Sequence, residues 1–291
     1  MSYICRLYRI TSHTNIHVGS GKQSYGIIDN LVQRDTFTNL PIINGSSLKG
    51  ALREYFTIML ERQPKDPDSK FMVDYIFGKE STREDKDNEA GKYRFFDGCL
   101  LSLPVRSNVL PFFRLTAPEL LQSMEKFLAG MGYQLSGQAK VDLGQMAGLS
   151  VGLQSALHFD SNLSNQTVYL EDFAHRAQHS TKVSTKHLGN LLGEDVALIN
   201  QKDLEELADD NHLPVMARNS LEDGRSTNLW YEQVLPRQTS FYTVLMAPEE
   251  EVNYLSKFEE YLQGEPLIQI GANASIGQGY CEFTNIGIES I

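Results

Sequence analysis

The chain is poor in cysteine. Only Cys5, Cys99 and Cys281 occur among 291 residues, far apart and without CxxC spacing. That suggests neither a thiol zinc site nor a disulfide framework and fits a reducing compartment. Long apolar runs are missing too: no stretch approaches the roughly 20 residues that cross a bilayer. The opening MSYICRLYRI carries charge too early for a signal-peptide core, so a cytoplasmic protein without membrane contact is expected. Positive charge is in deficit. A formal net charge of −11 argues against coating nucleic acid by bulk attraction, while leaving room for a local basic groove. The chain also lacks a Walker loop, a dinucleotide glycine fingerprint, an HExxH pair and a GxSxG elbow. No base partner follows the serines of NGSSLKG, so a hydrolase triad has no support. Without a repeat or a composition break, residues 1–291 are expected to form a single domain.

What is present mixes strand and helix patterns. Tyr3 to Ile10 reads as a strand interrupted by Arg6 and Arg9. Leu48, Ala51, Leu52, Tyr55, Phe56, Met59 and Leu60 mark the buried stripe of a helix that starts beside a serine cap at Ser46 and Ser47, with Lys49, Arg53 and Thr57 on a polar face. A short helix ends at Gly78, a solvated loop covers Lys79 to Lys92, and Tyr93 to Val105 is extended around a turn at Asp97-Gly98. A helix starts with Thr116 as cap and Pro118 in its first turn, and ends at Gly130 and Gly132.

An irregular insertion is expected to about Gln166, then a strand at Val168 to Leu170, while Glu171 to Lys186 has no clear pattern. Val196 to Ile199 reads as a strand leading into a helix capped by Asn200, and Leu213 to Ala217 as another strand. Arg218 to Arg237 reads as a protruding hairpin or loop around Asp223-Gly224. Thr239 to Ala247 is a strand. Glu249 to Gln263 is a helix stopped by Gly264 and Pro266, and two strands flank a glycine-rich loop from Gly271 to Gly279. The economical architecture is α+β, with helices on one face of an antiparallel sheet.

Several residues could carry chemistry. Two glycine-rich elements, Gly19-Ser20-Gly21 and the loop holding Gly277 and Gly279, are either plain turns or bare backbone that a phosphate chain can approach. Ser46, Ser47, Lys49 and Arg53, at a helix start, suit an anion, read here as an RNA phosphate. His17 is a general base, a donor to a phosphate oxygen, or a structural hydrogen-bonder. Asp29 is either paired with Arg34 or Lys49, or a functional carboxylate that deprotonates a ribose 2′-hydroxyl or holds a divalent ion. Trp230 anchors the hairpin, or stacks on a bound strand with Tyr231 and Glu232 nearby.

Taken in order, HVGSG, GIIDN followed by QRD, PIINGSSLKGALREYF, FFDGCLLSLPVRS, NLWYEQVLPRQTSFY and IQIGANASIGQGY cover nearly the whole chain. Together they resemble the RAMP-superfamily backbone subunits of type III-B CRISPR effector complexes. The resemblance implies a ferredoxin-like, RNA-recognition-like palm with helical insertions and a thumb-like β-hairpin, the insertions or thumb falling at about residues 130–190 and 211–238. It implies copies stacked head to tail along a CRISPR guide RNA, beside the other Cmr subunits. It further implies cleavage of single-stranded target RNA at regular intervals, dependent on a divalent metal, magnesium or manganese. By the same resemblance Asp29, in Gly26-Ile-Ile-Asp29, is the catalytic and metal-holding residue. His17 stands at the family's histidine, with Val18 in place of proline; Glu232 is the candidate second carboxylate, with Gln233 replacing the second acid; Lys49 contacts guide phosphate. Two alternatives stay open: a non-catalytic RNA-binding subunit, and a guide-processing relative that uses a histidine such as His17 without metal.

Overall fold

The computed structural model describes residues 2–21, 26–62, 69–79, 89–158, 167–179, 183–223, 225–264 and 267–291. Most of the expected loop at Lys79 to Lys92, Gly224 of the hairpin turn, and Pro266 lie outside them. The chain begins with β1 (Tyr3–Ser12), followed by β2 (Ile42–Ile43), α1 (Gly45–Arg62) and α2 (Ser69–Phe77). Next come β3 (Arg94–Phe95), β4 (Gly98–Arg106), β5 (Phe112–Thr116) and α3 (Pro118–Gly130). The middle holds β6 (Tyr133–Leu135), α4 (Gly137–Ala147), β7 (Ser155–His158), β8 (Thr167–Leu170), β9 (Phe173–His179) and α5 (Gly189–Leu192). There follow β10 (Val196–Ile199), α6 (Gln201–Leu207) and the pair β11 (Val215–Glu222) and β12 (Arg225–Gln233). The chain closes with β13 (Ser240–Pro248), α7 (Val252–Gly264), β14 (Ile268–Gln269), β15 (Tyr280–Ile286) and β16 (Ile288–Ser290).

One large sheet runs β14-β15-β1-β13-β4-β5-β10-β7-β9-β8, with β2 and β3 attached at its side. β1 is central, antiparallel to both β13 and β15. Side chains alternate across a strand, so its odd and even residues meet different layers. Cys5 and Leu7 pack with Leu121, Met124 and Leu143 of α3 and α4. Tyr8 packs with Leu52 and Phe56 of α1 and Phe258 of α7. Helices therefore cover both faces of the central strands, where the sequence pattern had suggested one. The sheet is also not purely antiparallel, because β10 joins β5 and β9 joins β7 in parallel.

The helix stripes form as their spacing requires. Leu48, Leu52, Phe56 and Leu60 are buried, and Phe56 stacks on Phe258 with ring centroids 4.6 Å apart. Two caps differ from expectation. Ser46 and Ser47 lie inside α1: the Asn44 carbonyl accepts from the Ser47 and Leu48 amides, and the Asp97 carboxylate accepts from the Gly45 amide at 2.6 Å. Asp97 thus takes over, from a distant strand end, the role read for a serine. Thr116 remains in β5 with a buried hydroxyl, and Ala117 precedes α3 without a side-chain cap. The Asn200 cap is present, its side-chain oxygen accepting from the Lys202 amide.

The stretch expected to be irregular contains β6, α4 and β7. Its helix is hard to read because Asp142, facing inward, accepts hydrogen bonds from Gln138 and His187. The chain end holds this region in place, since β16 pairs with β6. The β11–β12 hairpin projects as its own two-stranded ribbon, most of its residues exposed.

Candidate RNA-facing site

Three backbone segments converge at the base of the hairpin. Residues 15–21 lie between the glycine-rich loop and residues 31–33. On one side the Ala272 amide donates to the His17 carbonyl and the Gly279 amide to the Asn15 carbonyl. On the other, Ser20 donates to Leu31 and Gln33 to Val18. Asn30 then aligns parallel to Glu232, so the segment carrying Asp29 adds to the edge of β12.

Glycine is required where these backbones meet. At Gly271, with φ +87°, a Cβ would lie 2.3 Å from the His17 carbonyl oxygen; at Gly279, with φ +81°, it would lie 2.1 Å from that of Ile270. No side chain fits either position without moving backbone.

Asp29 is exposed. Its backbone amide donates to the Tyr231 carbonyl at 3.1 Å, and its carboxylate Oδ2 accepts from the Tyr231 amide at 2.7 Å. The pairing expected with Arg34 or Lys49 does not form. Arg34 is taken up by the Asp210 carboxylate at 2.7 Å and by the carbonyls of Asn39 and Ala208. Among the described residues, Oδ1 of Asp29 has no hydrogen-bond partner.

The other two predicted acid–base groups occupy different environments. His17 is only 4% exposed, and its Nδ1 lies 2.6 Å from the Gln233 carbonyl oxygen. A carbonyl can only accept, so Nδ1 carries the proton. Glu232 is 8% exposed. Its Oε1 accepts from the Trp230 indole at 2.9 Å, its Oε2 from the Asn273 amide at 2.9 Å, and Arg218 lies 3.4 Å from Oε2. Burial pushes this carboxyl upward, but the bonds from Trp230 and Asn273 and the charges of Arg218 and His17 outweigh it and hold its pKa below the usual glutamate range.

Gly19, Ser20, Gly21, Trp230, Tyr231, Gly277 and Gly279 belong to this cluster or border it. Ser47 is joined to it through Gln33, whose amide nitrogen donates to the Gly19 carbonyl and the Ser47 hydroxyl while its oxygen accepts from the Asn44 amide. Ser46 is exposed one residue before it, and Lys49 one turn along the helix is half-buried. Arg53 lies 4.0 Å from Asp74 of α2, which directs that cation toward the neighbouring helix.

Sequence reasoning missed the glutamines. Gln233, fully buried, accepts from the Val32 amide and donates to the Asp210 carboxylate, so the residue in place of an acid fastens two segments. A polar residue inside an otherwise strand-like run was the available signal.

The CRISPR system Cmr endoribonuclease Cmr4 of Pyrococcus furiosus is 27% identical over 303 residues, covering 97% of this chain and 95% of that protein. The Cms endoribonuclease Csm3 of Streptococcus thermophilus is 32% identical over 96 residues, covering 32% of this chain and 42% of its own. Among solved structures, a type III-B Cmr-beta complex bound to cognate target RNA contains a chain that superposes with a TM-score of 0.77 at 22% identity, covering 97% of both chains. Oligomeric Cmr4 from Pyrococcus furiosus gives 0.67 at 20%, covering 99% of this chain and 98% of that one. These two likenesses establish the fold, and the family model matches residues 9–282, from the first strand through the glycine-rich loop into β15: the chain belongs to the RAMP superfamily.

Proposed function

We propose that this chain is a backbone subunit of a type III-B CRISPR ribonucleoprotein. It binds guide RNA, stacks with further copies of itself and with other Cmr subunits, and cleaves complementary target RNA. The observation that carries the nuclease reading is the setting of Asp29: an exposed carboxylate, oriented by a backbone amide, beside two glycine-rich turns. Bare backbone there admits a ribose–phosphate chain. The Tyr231 amide fixes one carboxylate oxygen and leaves the other directed to solvent, so a bound strand meets a pre-oriented acceptor.

No cluster of three acidic, histidine or cysteine side chains suited to a metal occurs among the described residues. A single carboxylate nevertheless suits magnesium, which keeps several waters and takes further oxygens from substrate phosphate. Asp29 would hold magnesium or manganese. Once bound, the ion supplies neutralisation of phosphate charge and a more acidic 2′-hydroxyl.

His17 and Glu232 act here as positioning residues. The first anchors β12 through the Gln233 carbonyl; the second joins the hairpin to the glycine-rich loop. A metal-free histidine ribonuclease is disfavoured, because the His17 ring is buried and its Nδ1 is engaged. A cytoplasmic setting agrees with three unpaired thiols. Assembling the complex with Asp29→Ala tests the reading. Target binding retained with cutting lost is expected, and unchanged cutting rejects Asp29 as the catalytic group.

A further inference from the structure

The glycine-rich loop does more than bring bare backbone to the site. Asn273, its third residue, takes the left-handed conformation with φ 71°. Glycine, asparagine and aspartate are the usual occupants of that region, and of the three only asparagine brings an amide donor. Both hydrogens of the amide are spent. Nδ2 donates to Glu232 Oε2 at 2.9 Å and to Gln278 Oε1 at 3.0 Å. The bond to the ionised Glu232 carboxylate is charge-assisted, about twice as strong as a neutral one. Gln278 is buried and passes the contact on, its Nε2 donating to the Met216 sulfur at 3.2 Å.

Met216 and Glu232 stand directly opposite each other in the β11–β12 ribbon, so their side chains leave the same face. One loop side chain therefore grips both strands of the hairpin at a single rung, one directly and the other through Gln278. The neighbouring rung sets Ala217 opposite Tyr231, the residue that holds both the backbone and the carboxylate of Asp29. On the loop side, the Asn273 carbonyl accepts from the Ile276 and Gln278 amides at 3.1 and 3.2 Å. The turn thus closes on itself and presents residues 274–277 to solvent.

We propose that Asn273 is a positioning residue for target cleavage. It locks the rung beside Asp29 to the glycine-rich loop, so that the direction of the Asp29 carboxylate is set by the seat of that loop. The assignment rests on the nuclease reading above, and in this role Asn273 touches no reacting atom.

The test is single-turnover cutting by guide-loaded complexes, with guide and target affinities measured alongside. Asn273→Gly keeps the left-handed backbone and removes the amide, whereas Asn273→Asp keeps the shape and sets a second carboxylate against Glu232. Each should cut roughly tenfold slower. Unchanged affinities verify folding. Joining Asn273→Asp to Glu232→Gln exchanges donor and acceptor: the new amide at 232 donates to the new carboxylate at 273, while its oxygen keeps the Trp230 indole. The double variant should cut severalfold faster than Asn273→Asp alone, a coupling that independent residues do not give. Asn273→Gly cutting at the wild-type rate overturns the proposal. So does a double variant no faster than Asn273→Asp, or a loss of guide affinity in Asn273→Gly, which makes Asn273 an RNA contact instead. Asp29→Ala, run beside them, separates the two readings: if it cuts as the wild type does, the nuclease reading itself falls and the proposal with it.

Discussion

Glu232→Gln separates a reacting carboxylate from a positioning one. Glutamine preserves the shape but offers one oxygen where glutamate offers two, and its amide nitrogen must face a donor. If the oxygen stays with Asn273 and Arg218, the Trp230 indole loses its acceptor. A hydrogen bond to a charged group contributes about 1.5–3 kcal/mol, so a loss of about 2 kcal/mol is expected. Unfolding entropy of roughly 2.1 cal/mol/K per residue, carried over a chain of this length, converts that to a fall of about 3 °C in melting temperature. Differential scanning calorimetry measures it, and guide-loaded complexes report the rate of target cleavage in parallel. The expected outcome is the lower melting temperature with cutting slowed by roughly tenfold and still detectable, since only the hairpin base is loosened. An unchanged melting temperature together with cutting as dead as in Asp29→Ala would refute the reasoning and put the Glu232 carboxylate at the reacting atoms.

Other outcomes follow from the same geometry. Gly271→Ala, which must place a Cβ against the His17 carbonyl at positive φ, should destabilise the chain by roughly 1–3 kcal/mol or more and weaken guide-RNA binding in a gel-shift titration. Because the folded pKa of Glu232 is depressed, its stabilising contribution is complete above the ordinary glutamate value of about 4.3 and is lost as pH falls through the lower folded value. The melting difference between wild type and Glu232→Gln should therefore shrink in acid, and a gap independent of pH down to full protonation contradicts the pairing. Chelating divalent ions should stop target cleavage by the assembled complex; cutting that survives the chelator removes the metal from the reaction.

Local pattern made the helices legible where one face is plainly apolar, as in the Leu48–Leu60 stripe, and Asp223-Gly224 marked the hairpin. It failed where long-range contacts decide. The Asp97 cap on α1 comes from a residue 52 positions away, and Asp142 disguises α4 because its partner His187 lies 45 positions on. Thr116 looked like a cap by type, but its strand continues through it. At the site, Asp29 could be picked out as a lone carboxylate in an apolar run. Its partner could not, since Tyr231 is 202 positions distant and contributes backbone, which leaves no trace in residue identity. Arg34 seemed the natural counter-ion only while Asp210 was out of view.

The tether between Asp29 and Tyr231 makes the acid a passenger of the ribbon. Both backbone and side chain of Asp29 are bonded to the same residue of β12, so tilting the hairpin carries the carboxylate with it. Whatever a strand lodged against that ribbon does to its angle, it also does to the aim of the acid, and occupancy and alignment become one mechanical variable.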